Sequence, residues 1–268
     1  ASIKANIGHV LGRPLIVPVK KRNGAVAWKA IFGNGYGSAD GKAVLFVVDV
    51  NNPANVHMIE AVEDEATNPP AHMTNGLGNV IAVDRWGGGE ALNVRRRDGF
   101  VDTVYGADQR GALWKFDLRD ISMSGVNSTV VETPLFVTQT YQDGGQTFRQ
   151  PIIGGLTAVA APGGRLMVIF GTGSFSFVGD AADTSVQSLY GILDREDGAT
   201  VTLASLHQRT LAAAAPGATA RSVSTTPPAL GNRGWYLNLP AGERFVGYPS
   251  ILSGAVMMAT YTPNMVAG

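Results

Sequence analysis

Val104-Tyr105-Gly106-Ala107-Asp108, followed after two residues by Gly111-Ala112-Leu113-Trp114-Lys115-Phe116-Asp117, decides the fold. Each half is a short apolar run bounded by Gly or Asp, too short for a buried helix and suited to a buried strand. The same order recurs upstream, where Ile31-Phe32-Gly33-Asn34-Gly35 precedes Leu45-Phe46-Val47-Val48-Asp49. It recurs downstream as Ile169-Phe170-Gly171-Thr172-Gly173 and then Leu189-Tyr190-Gly191-Ile192-Leu193-Asp194. A fourth unit begins near Tyr248-Pro249-Ser250-Ile251-Leu252. A unit that repeats an aromatic, a Gly and a closing Asp cannot bury both of its faces alone, so the same faces must stack on their neighbours. The expected fold is therefore all-β, a β-propeller with irregular or partial blades that carry long loop insertions.

The remaining strand signals agree. Leu15-Ile16-Val17-Pro18-Val19, Val44 to Val48, Leu166 to Phe170 and Ala255 to Ala259 are apolar runs rich in Val and Ile. No convincing amphipathic helix is present, and the best candidate, Val201 to Leu211, is brief. Phe46, Trp114 and Tyr190 should fill the space between blades. Their separation of about 70 residues exceeds the ~40–50 of compact blades, so the blades carry long loops or further units lie between them. Loops are expected over Asn51–Leu77, Gly87–Arg97, Ile121–Gln150 and Ala212–Arg233, with Ala212-Ala213-Ala214-Ala215-Pro216-Gly217 as a mobile linker.

Composition supports a packed, turn-rich chain. Of 268 residues, 45% are hydrophobic, enough to build a core, and 34 are Gly, the residue tight turns need. Lys plus Arg and Asp plus Glu number 21 each, and this balance gives no general attraction to nucleic acid or anionic membrane. No apolar run is long enough to span a membrane as a helix. The absence of Cys removes disulfides, thiolate metal sites and a cysteine nucleophile. The N-terminal Ala1-Ser2-Ile3-Lys4 lacks a signal pattern, which fits either a cytosolic chain or a piece of a processed secreted one.

Catalytic motifs fail on their own terms. Gly33-Asn34-Gly35-Tyr36-Gly37 has Ser38 where a dinucleotide loop needs its third Gly, and it has no helix after it. His9, His57, His72 and His207 are scattered, and no Gly-x-Ser-x-Gly elbow occurs. Arg95-Arg96-Arg97 is a basic loop tip or a docking patch. The informative segment is Asp98-Gly99-Phe100-Val101-Asp102. A calcium loop places oxygen ligands at alternate positions, a Gly at the sharp turn and a backbone carbonyl at the next position. Asp98, Phe100 through its carbonyl, and Asp102 fit that pattern. Val94 and Arg96 stand where the first and third ligands belong, so Asp84 becomes the first ligand only if residues 85–97 loop out, with Glu90 or Asn93 replacing the third. The alternative is a plain Asp-Gly hairpin turn.

Several stretches, in order, resemble the PilC/PilY family of type IV pilus biogenesis factors and tip adhesins. They are His9 to Pro14, Phe32 to Tyr36, Asp98 to Asp108, Gly111 to Asp117, Phe170 to Gly173, Tyr190 to Ile192, and Gly234-Trp235-Tyr236-Leu237-Asn238-Leu239-Pro240 followed by Gly242-Glu243-Arg244. The resemblance implies a single propeller segment over residues 1–268, part of a larger propeller at the C-terminal end of a longer secreted protein. It implies a non-enzymatic assembly and anti-retraction factor at the pilus tip, outer membrane surface or periplasm. The implied partners are minor pilins and a host-cell or surface receptor. It further implies calcium held by Asp84, Asp98, Phe100 and Asp102, and no organic cofactor. The roughly ten-residue insertion after Asp84 departs from the family loop. Two other readings share the Gly…Leu-Trp-x-Phe-Asp closure or the propeller form. One is a quinone-dependent dehydrogenase propeller, though the vicinal Cys pair common there is missing; the other is an outer-membrane assembly scaffold.

Overall fold

The computed structural model describes residues 2–21, 23–62, 74–85, 97–143, 145–212 and 220–263. A four-residue helix, α1 (Ile3–Asn6), precedes the first sheet, β1 (Leu15–Lys20), β2 (Val26–Gly33), β3 (Ala43–Asp49) and β4 (Val56–Ala61), all antiparallel neighbours. The second sheet opens with β5 (Leu77–Val83), β6 (Thr103–Asp108) and β7 (Ala112–Asp117). The chain then returns to the first sheet, where β8 (Val126–Val131) runs parallel along β4, before β9 (Phe136–Val137) closes the second. A hairpin, β10 (Thr140–Asp143) and β11 (Gln146–Arg149), leads to the third sheet. That sheet is ordered β12 (Thr157–Ala161), β13 (Arg165–Gly171), β14 (Ser188–Asp194), β16 (Gly234–Asn238), β15 (His207–Arg209). β17 (Ser250–Leu252) and β18 (Ala255–Met257) form a final hairpin. These sheets are the blades of a β-propeller.

Two of the presumed loops contain strands. Asn51–Leu77 holds β4, and Ile121–Gln150 holds β8 to β11. β8 was hidden because its side chains are largely exposed and its role is backbone pairing with β4. The helix candidate Val201–Leu211 is instead a 3-10 turn over Leu203–Ser205 followed by β15. The Ala212–Gly217 linker falls almost wholly outside the described residues, as does the Arg95-Arg96 part of the basic cluster.

Alternation along the strands builds the cores between blades. On β3, Leu45 and Val47 enter a cluster with Ile31, Leu77, Val104 and Trp114, uniting the first and second sheets. Val44 and Phe46 point the other way, to Met58 and Val56. Phe46 therefore stacks on Phe32 of its own sheet, rings 5.4 Å apart, rather than filling an inter-blade space. Trp114 does fill one, and Tyr190 fills the next, packed with Tyr105, Leu113, Phe136 and Phe170. The expected inter-blade role therefore holds for Trp114 and Tyr190 and not for Phe46.

The repeated Gly and Asp now have physical reasons. A Cβ on Gly33 would stand 2.3 Å from the Gly78 carbonyl oxygen, and one on Gly171 would stand 2.6 Å from Phe245 Cβ. At both positions a neighbouring segment crosses against the strand end, and only a residue without a side chain allows it. Each closing Asp folds back on the chain that follows. Asp49 Oδ1 accepts the N–H of Asn51 at 2.9 Å, Asp117 Oδ1 that of Arg119 at 2.9 Å, and Asp194 Oδ1 that of Glu196 at 2.9 Å. This side-chain turn starts the exit from the third strand of every blade.

Asp49 does a second job. It meets the Lys29 ammonium at 2.6 Å, and the Lys29 side chain is only 3% exposed. That hydrogen bond, opposed by burial and aided by the Asn51 and Asn52 N–H groups, holds the Asp49 carboxyl below its ordinary range. A depressed carboxylate contributes stability that is present above its unfolded pKa and lost as pH falls through the folded one. The Asp49→Asn chain is thus expected to show a flatter acid limb than the parent when melting temperature is followed from about pH 5 to about pH 2. Parallel acid limbs would remove this assignment.

His57 is a satisfied core histidine. Its Nδ1 lies 2.8 Å from the Ser122 carbonyl and its Nε2 lies 3.0 Å from Thr129 Oγ1 on β8. A carbonyl only accepts, so Nδ1 carries the proton and Nε2 accepts from the threonine. Burial lowers the His57 pKa against the opposing Ser122 hydrogen bond and so favours the neutral ring.

Candidate functional site

The connection from β5 to β6 carries the nominated cation ligands. Its base is fixed by the Val83–Thr103 pair of the β5–β6 ladder, so Asp84 leaves one strand as Asp102 enters the other. Gly99, at φ +85°, turns the loop tip back, and its N–H donates to Asp84 Oδ2 at 2.7 Å. Asp98 Oδ1 accepts the Phe100 N–H at 3.2 Å, and Asp98 Oδ2 meets the Lys20 ammonium at 2.9 Å. Lys20 in turn lies 5.4 Å from the centre of the Phe100 ring. Burial raises the Asp84 pKa, and the neighbouring Asp98 charge adds to this against the Gly99 hydrogen bond.

Asp84 and Asp98 are thus brought together across Gly99. Asp84 Oδ1 is buried and has no hydrogen-bond partner, the kind of donor a hard cation satisfies. Asp102 is committed elsewhere. Its two oxygens accept the Arg85 N–H at 3.2 and 3.1 Å, and Oδ1 also accepts the Thr103 hydroxyl at 2.7 Å. Among the described residues no cluster of three or more His, Asp or Glu could hold a metal. Glu90 and Asn93, named as third-ligand substitutes, lie outside the described residues. Asp84 and Asp98 thus both contact the loop tip, Asp98 paired with Lys20, while Asp102 supports the base of the loop.

Sequence reading missed the network that ties this loop to the next blade. The Arg85 side chain is 1% exposed, with Nε 2.6 Å from Glu196 Oε1 and Nη1 donating to the Gly164 carbonyl at 2.5 Å. Glu196 also pairs with Lys115, whose ammonium lies 2.8 Å from Asp194 Oδ2. The Tyr105 hydroxyl donates to the same Asp194 oxygen at 2.6 Å. Burial alone would raise the Asp194 carboxyl, but Lys115 and Tyr105 outweigh it and hold it low. Tyr105, Lys115 and Asp194 stood in legible motifs, whereas Arg85 and Glu196 did not. Glu196 sits at φ +61°, a conformation no sequence pattern announces for Glu. Because Arg85 follows Asp84 directly, the β5–β6 loop is tied to the β13–β14 blade through the Arg85–Glu196 ion pair.

The model of the PilY1 β-propeller domain matches residues 1–216. The chain belongs to that family. It is 34% identical over 277 residues to a type IV pilus biogenesis factor PilY1 homolog of Xylella fastidiosa, covering 97% of this chain and 18% of that protein. It is 28% identical over 302 residues to type IV pilus biogenesis factor PilY1 of Pseudomonas aeruginosa, covering 97% of this chain and 24% of that protein. The crystal structure of the P. aeruginosa PilY1 C-terminal domain superposes with a TM-score of 0.70 at 25% identity, over 97% of this chain and 58% of that one. The chain therefore spans between 18% and 24% of the length of these two curated relatives. Among the described residues no helix is long and apolar enough to cross a membrane.

Proposed function

We propose that this chain is the propeller module of a secreted type IV pilus biogenesis factor, a segment of a larger propeller in a longer protein. It works at the pilus tip or outer surface, where it opposes retraction, engages minor pilins and presents an adhesive face to a host or other surface. The observation that carries this reading is the family match over residues 1–216. Trp114 supports a binding role over a quinone enzyme. It is fully buried with Nε1–H on Asp108 at 2.7 Å, so it offers no face for a quinone to stack on. Deleting these residues from the native protein is expected to reduce surface pili and abolish co-purification with minor pilins. Normal piliation with minor pilins still bound would overturn the reading.

Within that reading, Asp84 and Asp98 would hold a calcium ion in competition with Lys20, and Arg85, the residue after Asp84, would carry that constraint to its ion pair with Glu196. Calorimetry should give a Kd in the ~10⁻⁷–10⁻⁵ M range of regulatory sites, weakened at least about tenfold by Asp84→Asn and by Asp98→Asn. Lys20→Met should tighten it, since the competing cation is gone. Equal affinity in parent and Asp84→Asn would end the assignment.

A further inference from the structure

On one face of the propeller lies a polar cleft that the pilus role does not account for. The Leu77–Asp108 pair puts the segment before β5 and the turn after β6 at a common edge, and the Ala112–Val137 pair brings the chain after β9 to that edge as well. The long β13–β14 connection joins them. Its Phe177 ring stands 6.2 Å from Tyr36, which belongs to the β2–β3 turn of the first blade. Between these segments lies a solvent-open cleft of about 980 Å³, at the upper end of the volume of small-molecule sites.

We propose that this cleft binds a neutral oligosaccharide, which gives the adhesive reading above its ligand class. The described lining carries amides and hydroxyls, among them Gln109, Gln142, Thr140 and Thr184, and no Lys, Arg or His. An anionic ligand would therefore find no counter-charge there. The two carboxylates in the lining are occupied by their own loop. Asp180 Oδ2 accepts the Ser174 hydroxyl at 2.5 Å and the Ser176 and Phe177 N–H groups at 2.8 Å. Asp183 accepts the Ser185 N–H at 2.8 Å and its hydroxyl at 3.0 Å.

Gln109 points to a ligand independently. The residue is 4% exposed and lines the cleft, and its Oε1 is buried with no hydrogen-bond partner. A buried amide oxygen left unpaired carries a desolvation penalty, which a ligand hydroxyl would relieve. Tyr141 and the part-exposed Phe177 lie in the same lining. Aromatic rings beside neutral donors and acceptors suit a sugar, which is apolar on its C–H faces and hydroxylated at its edges. Arg244 holds the Ser174–Asp183 loop through its carbonyls, so the site is preorganised.

The test is saturation-transfer NMR on the full chain with cellotetraose, chitotetraose and lacto-N-tetraose, with 3′-sialyllactose and a heparin tetrasaccharide as acidic comparators. At least one neutral tetrasaccharide should bind. Its affinity should fall about tenfold in Gln109→Leu, the loss of one hydrogen bond. Thr184→Trp, at an exposed position, should block the cleft without touching the core. Three outcomes would each overturn the proposal: no neutral sugar bound, binding unchanged in both variants, or preference for the acidic comparators. If piliated cells still adhered after such a result, the adhesive reading would stand and only the cleft would be lost.

Discussion

Arg244→Met is expected to lower the unfolding free energy by about 3–5 kcal/mol and to open the Ser174–Asp183 loop to proteolysis. The Arg244 side chain is among the largest that are fully buried, and the residue is 1% exposed. Its guanidinium donates only to backbone carbonyls: Gly242 at 3.2 Å, Ser174 at 2.8 Å, Asp180 at 2.6 Å, and Asp183. Methionine keeps much of the volume and removes every donor, leaving the Ser174 and Asp183 carbonyls without this partner, while the Asp180 carbonyl keeps only the Asp183 N–H at 3.2 Å. Each buried unpaired group costs about 1–3 kcal/mol, reduced where the loop can move out to water. Arg244→Lys should recover only a small part, since one ammonium cannot reproduce the planar fork that reaches Ser174 and Asp183 together. Denaturant unfolding with limited proteolysis reads both effects. A loss under about 1 kcal/mol with an uncut loop would show that the carbonyls find other partners.

How far the sequence carried depends on whether a residue's partner is local. The Asp that closes each third strand was legible because its acceptor bonds the N–H two residues on, so the motif contains its own partner. β2–β3, β6–β7 and β13–β14 were legible for a similar reason, since each pair is joined within one repeat. β8 was not. Its partner β4 lies about seventy residues earlier, as the Val56–Val126 pair shows, and its mostly exposed side chains leave no apolar pattern. The cation loop was half legible. Asp84, admitted only if residues 85–97 loop out, does reach the loop tip through the Gly99 N–H, but nothing in the sequence shows that Asp102 serves the Arg85 N–H. Arg244 stood in a quoted motif, yet a side chain that binds carbonyls has no sequence-level partner to reveal its role.

Asn34→Leu is expected to cost about as much as the loss of Arg244, about 3–5 kcal/mol, although Asn34 follows a strand end that reads as an ordinary turn. Its side chain is fully buried and uses its whole amide. Nδ2 donates to the Asn6 carbonyl at 2.7 Å and the Lys42 carbonyl at 2.8 Å. Oδ1 accepts the N–H of Val44 at 3.0 Å and of Leu77 at 2.9 Å. One residue thus joins α1, its own β2–β3 turn and the first strand of the next blade. Leucine has the size and none of the bonds, so two N–H groups and two carbonyls lose their partner together. Asn34→Asp separates this account from a packing defect. The carboxyl keeps the two acceptor bonds but, when ionised, faces two carbonyls with no proton to give. Its folded pKa should be raised, so the variant should gain stability as pH falls through that pKa, where protonation restores one donor. The parent, with an amide that does not titrate, should show no such gain at this position. If Asn34→Asp tracks the parent across the acid range, the side chain does not join the two blades through these bonds. The blade junction would then rest on the apolar cluster around Leu77 and on backbone bonds such as that from the Gly35 N–H to the Leu77 carbonyl at 2.9 Å.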